Sequence, residues 1–260
     1  QAEIKNLTAK YGNQTAFTIN GLISDFSEYG DADINVDITN FRMSMQDLQD
    51  FIRIGTPDFV LGPQLESLEN IELTLKAKGK LRNFNVVTRV NTSPGSLSFD
   101  GKGSADSKFE EININGRLVT DNLQLARIIG EEAGVDDVSL NALAEVNIKK
   151  NELPTVSVDG NIGSAFYKGY QYRDLAVNGV YSGNNIVGHV FTDTEDNKID
   201  LHADLSFGNH MKFDVKGTVD KLFLTPLIKV EKWENPYLTA RINANLQGSS
   251  IDDLVGNVVI

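Results

Sequence analysis

The chain contains no cysteine, which excludes a disulfide framework, a thiolate zinc site and a cysteine nucleophile. Basic residues are outnumbered, 24 Lys+Arg against 36 Asp+Glu over 260 residues, for a formal net charge of −12 at pH 7. No clustered Lys/Arg face offsets that excess, so the chain repels a phosphate backbone and nucleic acid is not expected as a partner. No window holds the roughly 18 apolar residues a membrane helix needs, and the opening Gln1-Ala2-Glu3 lacks the basic and apolar pattern of a secretory signal. Catalytic signatures are missing as well: there is no Gly-x-Ser-x-Gly elbow, no Walker loop and no His-Glu-x-x-His. The acidic residues sit on the polar side of alternating strands or in turns, where nothing isolates a pair for acid–base work. An enzyme is not expected, and neither is a cofactor.

What remains is enough apolar content, 40%, to build a packed core, and it is distributed with period two. In Ile71-Glu-Leu-Thr-Leu-Lys-Ala-Lys-Gly-Lys-Leu81 the odd positions are apolar or small and the even ones polar. A pleated strand sorts these onto opposite faces, which leaves Lys76, Lys78 and Lys80 in water. The pattern recurs at Leu97–Gly103, Ile112–Leu118, Val138–Ile148, Val156–Ile162, Ile199–Phe207, Met211–Val219 and Leu238–Leu246. Between these lie turn signals such as Ser93-Pro94-Gly95, Ser182-Gly183-Asn184-Asn185, Asp196-Asn197 and Gly208-Asn209. Short connections make successive strands antiparallel neighbours. The expected fold is mainly β, a long antiparallel meander of repeated strands curled into a trough or paired into a sandwich.

Three segments read at helical spacing instead: Met45–Ile52, Leu123–Ile129 and Thr225–Trp233. Ser44 is placed to cap the first; Thr120 or Asp121 the second, with Gly130 to end it; Pro226 suits the opening position of the third. These helices mark an internal repeat. Strand, strand ending near a glycine, a Leu-x-Leu lead-in to a helix and then strand occur in that order from Ser96 to Val146 and again from Lys198 to Ala244, with a degenerate copy around Phe41–Leu48. The reading divides the chain into repeats at 1–92, 93–185 and 186–260, with helices near 44–54, 122–130 and 225–233. Because the sequence stops within Val258-Val259-Ile260, a strand cut part-way, the last repeat is read as truncated.

The segment Gly248-Ser-Ser-Ile-Asp-Asp-Leu-Val-Gly256 resembles a recurring phrase of the TamB branch of the AsmA-like family (translocation and assembly module), in which a polar turn carrying Asp-Leu-x-Gly starts a new strand. The stretch Phe166-Tyr-Lys-Gly-Tyr-Gln-Tyr-Arg-Asp-Leu-Ala-Val-Asn-Gly-Val-Tyr181, followed by Gly188 and the acidic turn Asp193–Asn197, is similar to that family's mid-region in its Bacteroidetes form. The resemblance implies a periplasmic protein of the cell envelope, anchored in the inner membrane by a segment outside this sequence. It implies a β-taco trough whose apolar interior carries phospholipid acyl chains between the membranes, or that assists outer-membrane protein assembly with partners held by other parts. It brings no catalytic residues.

Other constellations have plainer readings. His189, His202 and His210 lie in or beside neighbouring expected strands, but no pair is spaced for a helix or hairpin metal site, and they read as surface histidines. Asp193–Asp200 has alternate carboxylates but lacks the glycine and the final glutamate of a calcium loop, so it reads as an acidic hairpin turn. Phe166, Tyr167, Tyr170, Tyr172, Trp233 and Tyr237 form either a ligand platform or the cover of a sheet end. The expected lipid-facing residues are Leu73, Leu75, Ile114, Leu201, Leu205, Phe213, Val215 and Ile242, on one pleat face expected to merge into one apolar surface. Small residues on that side, Ala77, Gly79, Gly101, Gly103, Gly116, Ala142, Ala144 and Ala240, favour a curved sheet with internal room. The competing expectation is a spacer or adhesion module whose apolar face is a closed sandwich core.

Overall fold

The period-two alternation becomes strand almost throughout. The computed structural model describes residues 2–12, 14–24, 32–106, 108, 110–129, 135–195, 198–208, 210–223, 236–249 and 253–260. Strand occupies 74% of the chain and helix 7%, so the protein is mainly β. It divides into two compact units, Gln1–Ser139 and Leu140–Ile260.

The first unit contains β1 (Ala2–Tyr11), β2 (Thr15–Ser24), β3 (Asp33–Ser44), α1 (Met45–Arg53), α2 (Pro63–Glu66), β4 (Asn70–Lys80), β5 (Asn83–Thr92), β6 (Gly95–Ala105), β7 (Glu111–Asp121), β8 (Leu123–Gln124) and α3 (Leu125–Ile129). The boundary falls inside β9 (Val135–Lys149). The second unit continues with β10 (Thr155–Tyr167), β11 (Tyr170–Ser182), β12 (Asn185–Asp193), β13 (Lys198–Ser206), β14 (Met211–Phe223), β15 (Tyr237–Gly248) and β16 (Val255–Val259). From β1 to β7, and again from β10 to β16, each strand pairs antiparallel with the next in chain order. Among the described residues β1 pairs only with β2 and β16 only with β15, so the sheet is not closed into a barrel. The expected meander is what forms, and it includes strands, β5 and β12 among them, that the alternating segments picked out from sequence did not cover.

The helices are short, as expected. Ser44 caps α1, its Oγ accepting from the Asp47 N–H at 3.0 Å. Asp47 in turn accepts from the backbone N–H of Thr15 at 3.0 Å and of Gln14 at 3.3 Å, tying α1 to the β1–β2 turn. The second helix begins later than its sequence pattern suggested, at Leu125, because Leu123 and Gln124 are drawn into β8 by pairing with Val138 and Asp137. Thr120 is therefore not its cap: it is buried, and its hydroxyl donates to the Val138 carbonyl at 3.1 Å. Asp121 belongs to β7 and is likewise too far from Leu125 to cap it. Gly130, and the expected helix at Thr225–Trp233 with it, lie outside the described residues.

The internal repeat has a backbone counterpart. Asn40, Asn122 and Lys221 adopt positive φ (55°, 46° and 57°), and each is followed by an apolar-x-apolar pair: Phe41 and Met43, Leu123 and Leu125, Leu222 and Leu224. At Asn40 and Lys221 the pairing register shifts, as a β-bulge requires, and the extra residue keeps the flanking apolar side chains on one face. In the second and third copies the strained residue is held the same way: the Asn122 N–H donates to Ser139 Oγ at 3.0 Å and the Lys221 N–H to Thr239 Oγ1 at 3.2 Å.

Candidate functional site: the apolar face of the sheet

Alternation with register places apolar residues of successive strands in rows across one face. In the first unit Leu73 lies between Phe41 and Val90, and Val90 faces Leu97. Leu75 lies between Ile38 and Thr88, in a row that continues through Phe99 to Leu118. Ile114 faces Gly103, which faces Phe84, which faces Gly79. The opposite face carries Lys76, Lys78 and Lys80, all exposed, with Lys76 3.6 Å from Asp37.

In the second unit β13, β14 and β15 are consecutive neighbours, so the expected residues there do come together. Leu205 faces Phe213, which faces Leu246; Val215 lies between Ala203 and Ala244; Leu201 and Ile242 flank Gly217. The small residues act differently from expectation at two places. At Gly103 the ring of Phe84 occupies the space a side chain would take, and at Gly101 the facing β7 backbone and the Phe99 ring together do.

All eight expected lipid-facing residues are half-buried. The burial of the face is graded along the strands of the second unit. At one end Tyr172, Leu175, Ile199, Val219 and Leu222 form a buried cluster, with Val219 only 2% exposed. Tyr170 packs over this end, 4.8 Å from the Tyr172 ring and 4.6 Å from Phe223, and Phe223 lies 5.3 Å from Tyr237. Burial pushes the Tyr172 hydroxyl up to about 12, with Tyr170 and Tyr167 adding to the shift. At the other end the row Tyr181, Ile186, Leu205, Phe213, Leu246 is open, with Tyr181 and Ile186 36% and 38% exposed. The aromatics from Tyr167 to Tyr172 thus cover a sheet end; Trp233 lies outside the described residues.

The polar face of the same unit holds an arrangement that sequence spacing did not disclose. His189 and His202 are direct cross-strand partners, with parallel rings 3.9 Å apart, and both Nε2 atoms approach Asp200 Oδ1, at 2.8 and 3.6 Å. The histidine pair does therefore have hairpin spacing; the register across the β12–β13 turn creates it, and no count along the chain reveals that. His210 is exposed and stands apart from this group. In that turn Asp193 pairs with Lys198 at 2.7 Å, as an acidic hairpin turn does.

No family model, curated protein or solved structure matches the chain. Among the described residues no helix is long and apolar enough to cross a membrane.

Proposed function

We propose that this chain is a non-catalytic periplasmic segment of a TamB/AsmA-like envelope protein, and that the apolar face of its sheet is a trough for phospholipid acyl chains. The observation that carries the reading is the burial state of that face. A closed sandwich buries its inward side chains against a second layer, whereas Leu73, Leu75, Ile114, Leu201, Leu205, Phe213, Val215 and Ile242 all retain contact with solvent. An open apolar surface of this kind costs free energy in water and recovers it when an apolar ligand covers it. Each methylene laid on it contributes about 0.8 kcal/mol, so a two-chain lipid is held without a head-group site. The outer-membrane assembly role implied by the same resemblance requires partner surfaces, and nothing on this face favours it over lipid.

A photo-crosslinking amino acid at Leu205 or Phe213, on the open end, is expected to capture phospholipid from cells, and one at Lys76 or Lys78, on the polar face, is not. Leu201→Asp is expected to suppress capture at Phe213 while the protein stays folded by circular dichroism. Absence of lipid at Leu205 and Phe213 in folded protein, or unfolding by Leu201→Asp without capture in the parent, would establish the closed-core spacer instead.

A further inference from the structure

The polar face of the second unit carries donors for a metal ion. We infer that His189, Asp200 and His202 bind a borderline divalent transition-metal ion of the zinc class. The donor atoms of the three side chains all lie within 4.8 Å of one another, and a zinc ion needs them at about 2.0–2.2 Å from a common centre. Antiparallel pairing supplies the geometry. His189 on β12 and His202 on β13 are directly opposed, so their side chains leave the same face side by side; Asp200, two residues before His202, emerges on that face next to both.

The present hydrogen bonding points to the same chemistry. Asp200 Oδ1 is approached by both Nε2 atoms, so a single carboxylate oxygen faces two imidazole nitrogens. A dication between them takes one lone pair from each Nε2 and keeps the carboxylate as counter-charge. The rings are parallel to within 1°, and a small tilt of each toward the other converges their lone pairs beside Asp200.

The donor set selects the class of ion. Two imidazoles and one carboxylate suit zinc, copper or nickel, whereas calcium and magnesium demand several oxygen ligands and this group offers a single carboxylate. Side-chain exposures of 35%, 50% and 65% for His189, Asp200 and His202 leave the remaining coordination positions to water. Two cations share this face: Lys216, which faces His202 from β14, has its ammonium drawn to Asp214 at 3.2 Å, and Lys198, two residues before Asp200, is held by Asp193 at 2.7 Å. The ring of Phe191, 6.4 Å from that of His189, flanks the group. Bound ion would fasten β12 to β13 on the face opposite the apolar one, so this inference stands apart from the lipid reading.

The test is calorimetric titration of zinc chloride into the chelator-treated chain, with nitrogen-15 imidazole spectra recorded alongside. One saturable site is expected, with the His189 and His202 resonances shifting together. His189→Gln and His202→Gln are each expected to weaken binding by at least about ten-fold, Asp200→Asn to weaken it less, and His210→Gln to leave it unchanged. Excess calcium is expected not to displace zinc. All the substituted side chains are partly exposed, and the spectra of the unmutated chain give a readout independent of any variant's folding. Absence of saturable binding, binding undiminished in the His189→Gln/His202→Gln double variant, or zinc shifts confined to His210 would overturn the proposal.

Discussion

Gly101 and Gly116 face each other directly across β6 and β7, with the ring of Phe99 covering both. A Cβ at Gly101 would lie 2.7 Å from the Gly116 Cα and 2.7 Å from Phe99 Cζ, closer than unstrained atoms approach. The Phe99 ring thus fills part of the space above both glycines, room that the small residues were expected to leave open. Gly101→Ala is expected to destabilise by about 1–3 kcal/mol through forced movement of Phe99 and the facing backbone. At Gly21, on the same unit's sheet, a Cβ meets nothing within 4 Å, so Gly21→Ala is expected to stay within about 0.5 kcal/mol. Urea denaturation midpoints of the two variants measure the difference.

Tyr172 gives an alkaline signature. Its neutral form is favoured by burial, and its folded pKa of about 12 stands above the unfolded 10.0. The stability this contributes is fully present below pH 10 and is lost as pH rises toward 12. Phenolate absorbance is expected to show one tyrosine titrating after the rest, and Tyr172→Phe is expected to remove that late step. If the step persists in Tyr172→Phe, the closed end of the face is not where the buried cluster puts it.

An acid-side signature comes from Glu69. The Ser93 hydroxyl donates to its carboxylate at 2.6 Å, and Arg127 of α3 lies 2.8 Å away; together, the hydroxyl first, they hold the carboxyl below its ordinary 4.5. A depressed folded pKa contributes stability above the unfolded value, and that contribution disappears as pH falls through the folded one. Glu69→Gln is therefore expected to lower the melting temperature at pH 7, with the gap from the unmutated chain closing as pH falls below 4.5. The effect is small, because the pair is exposed. A gap that stays constant with pH would show that packing, not charge, is what the substitution disturbs.

Much of this architecture was legible because side-chain period and strand geometry coincide. Ile71–Leu81 shows one apolar and one polar face in sequence and alternates half-buried and exposed along β4. Ser44 was legible as a cap for a local reason: hydroxyl and first-turn N–H are three residues apart. What failed to show was whatever depends on register. His189 and His202 are thirteen positions apart in sequence and adjacent only because the β12–β13 turn has the length it has. Thr120 looked like a cap because the pairing of Leu123 with Val138, which delays the helix, is non-local. The bulge at Asn40 was hidden for the opposite reason: the break in parity between Ile38 and Phe41 is visible in sequence, but reads as noise until a positive φ explains it.

That bulge leads to the sharpest check on the repeat. If the second and third copies share a device and not merely a pattern, removing its hydroxyl should cost the same in both. Ser139 accepts the Asn122 N–H and donates to Asn122 Oδ1 at 3.3 Å; Thr239 accepts the Lys221 N–H and donates to Asp220 Oδ1 at 2.6 Å. Each hydroxyl steadies a backbone conformation that costs a non-glycine residue about 1–2 kcal/mol, and each bond is worth about 1 kcal/mol net. Ser139→Ala and Thr239→Ala are expected to destabilise by about 1 kcal/mol apiece and, lying in different units, to add in the double variant within about 0.5 kcal/mol. Lys221→Gly, which relieves the positive φ, is expected to be neutral or to stabilise by up to about 1 kcal/mol. Urea midpoints of the four variants decide it: a cost at Ser139 with none at Thr239, or a loss of stability in Lys221→Gly, would mean that the two positions only resemble each other and that the repeat ends at the strand pattern.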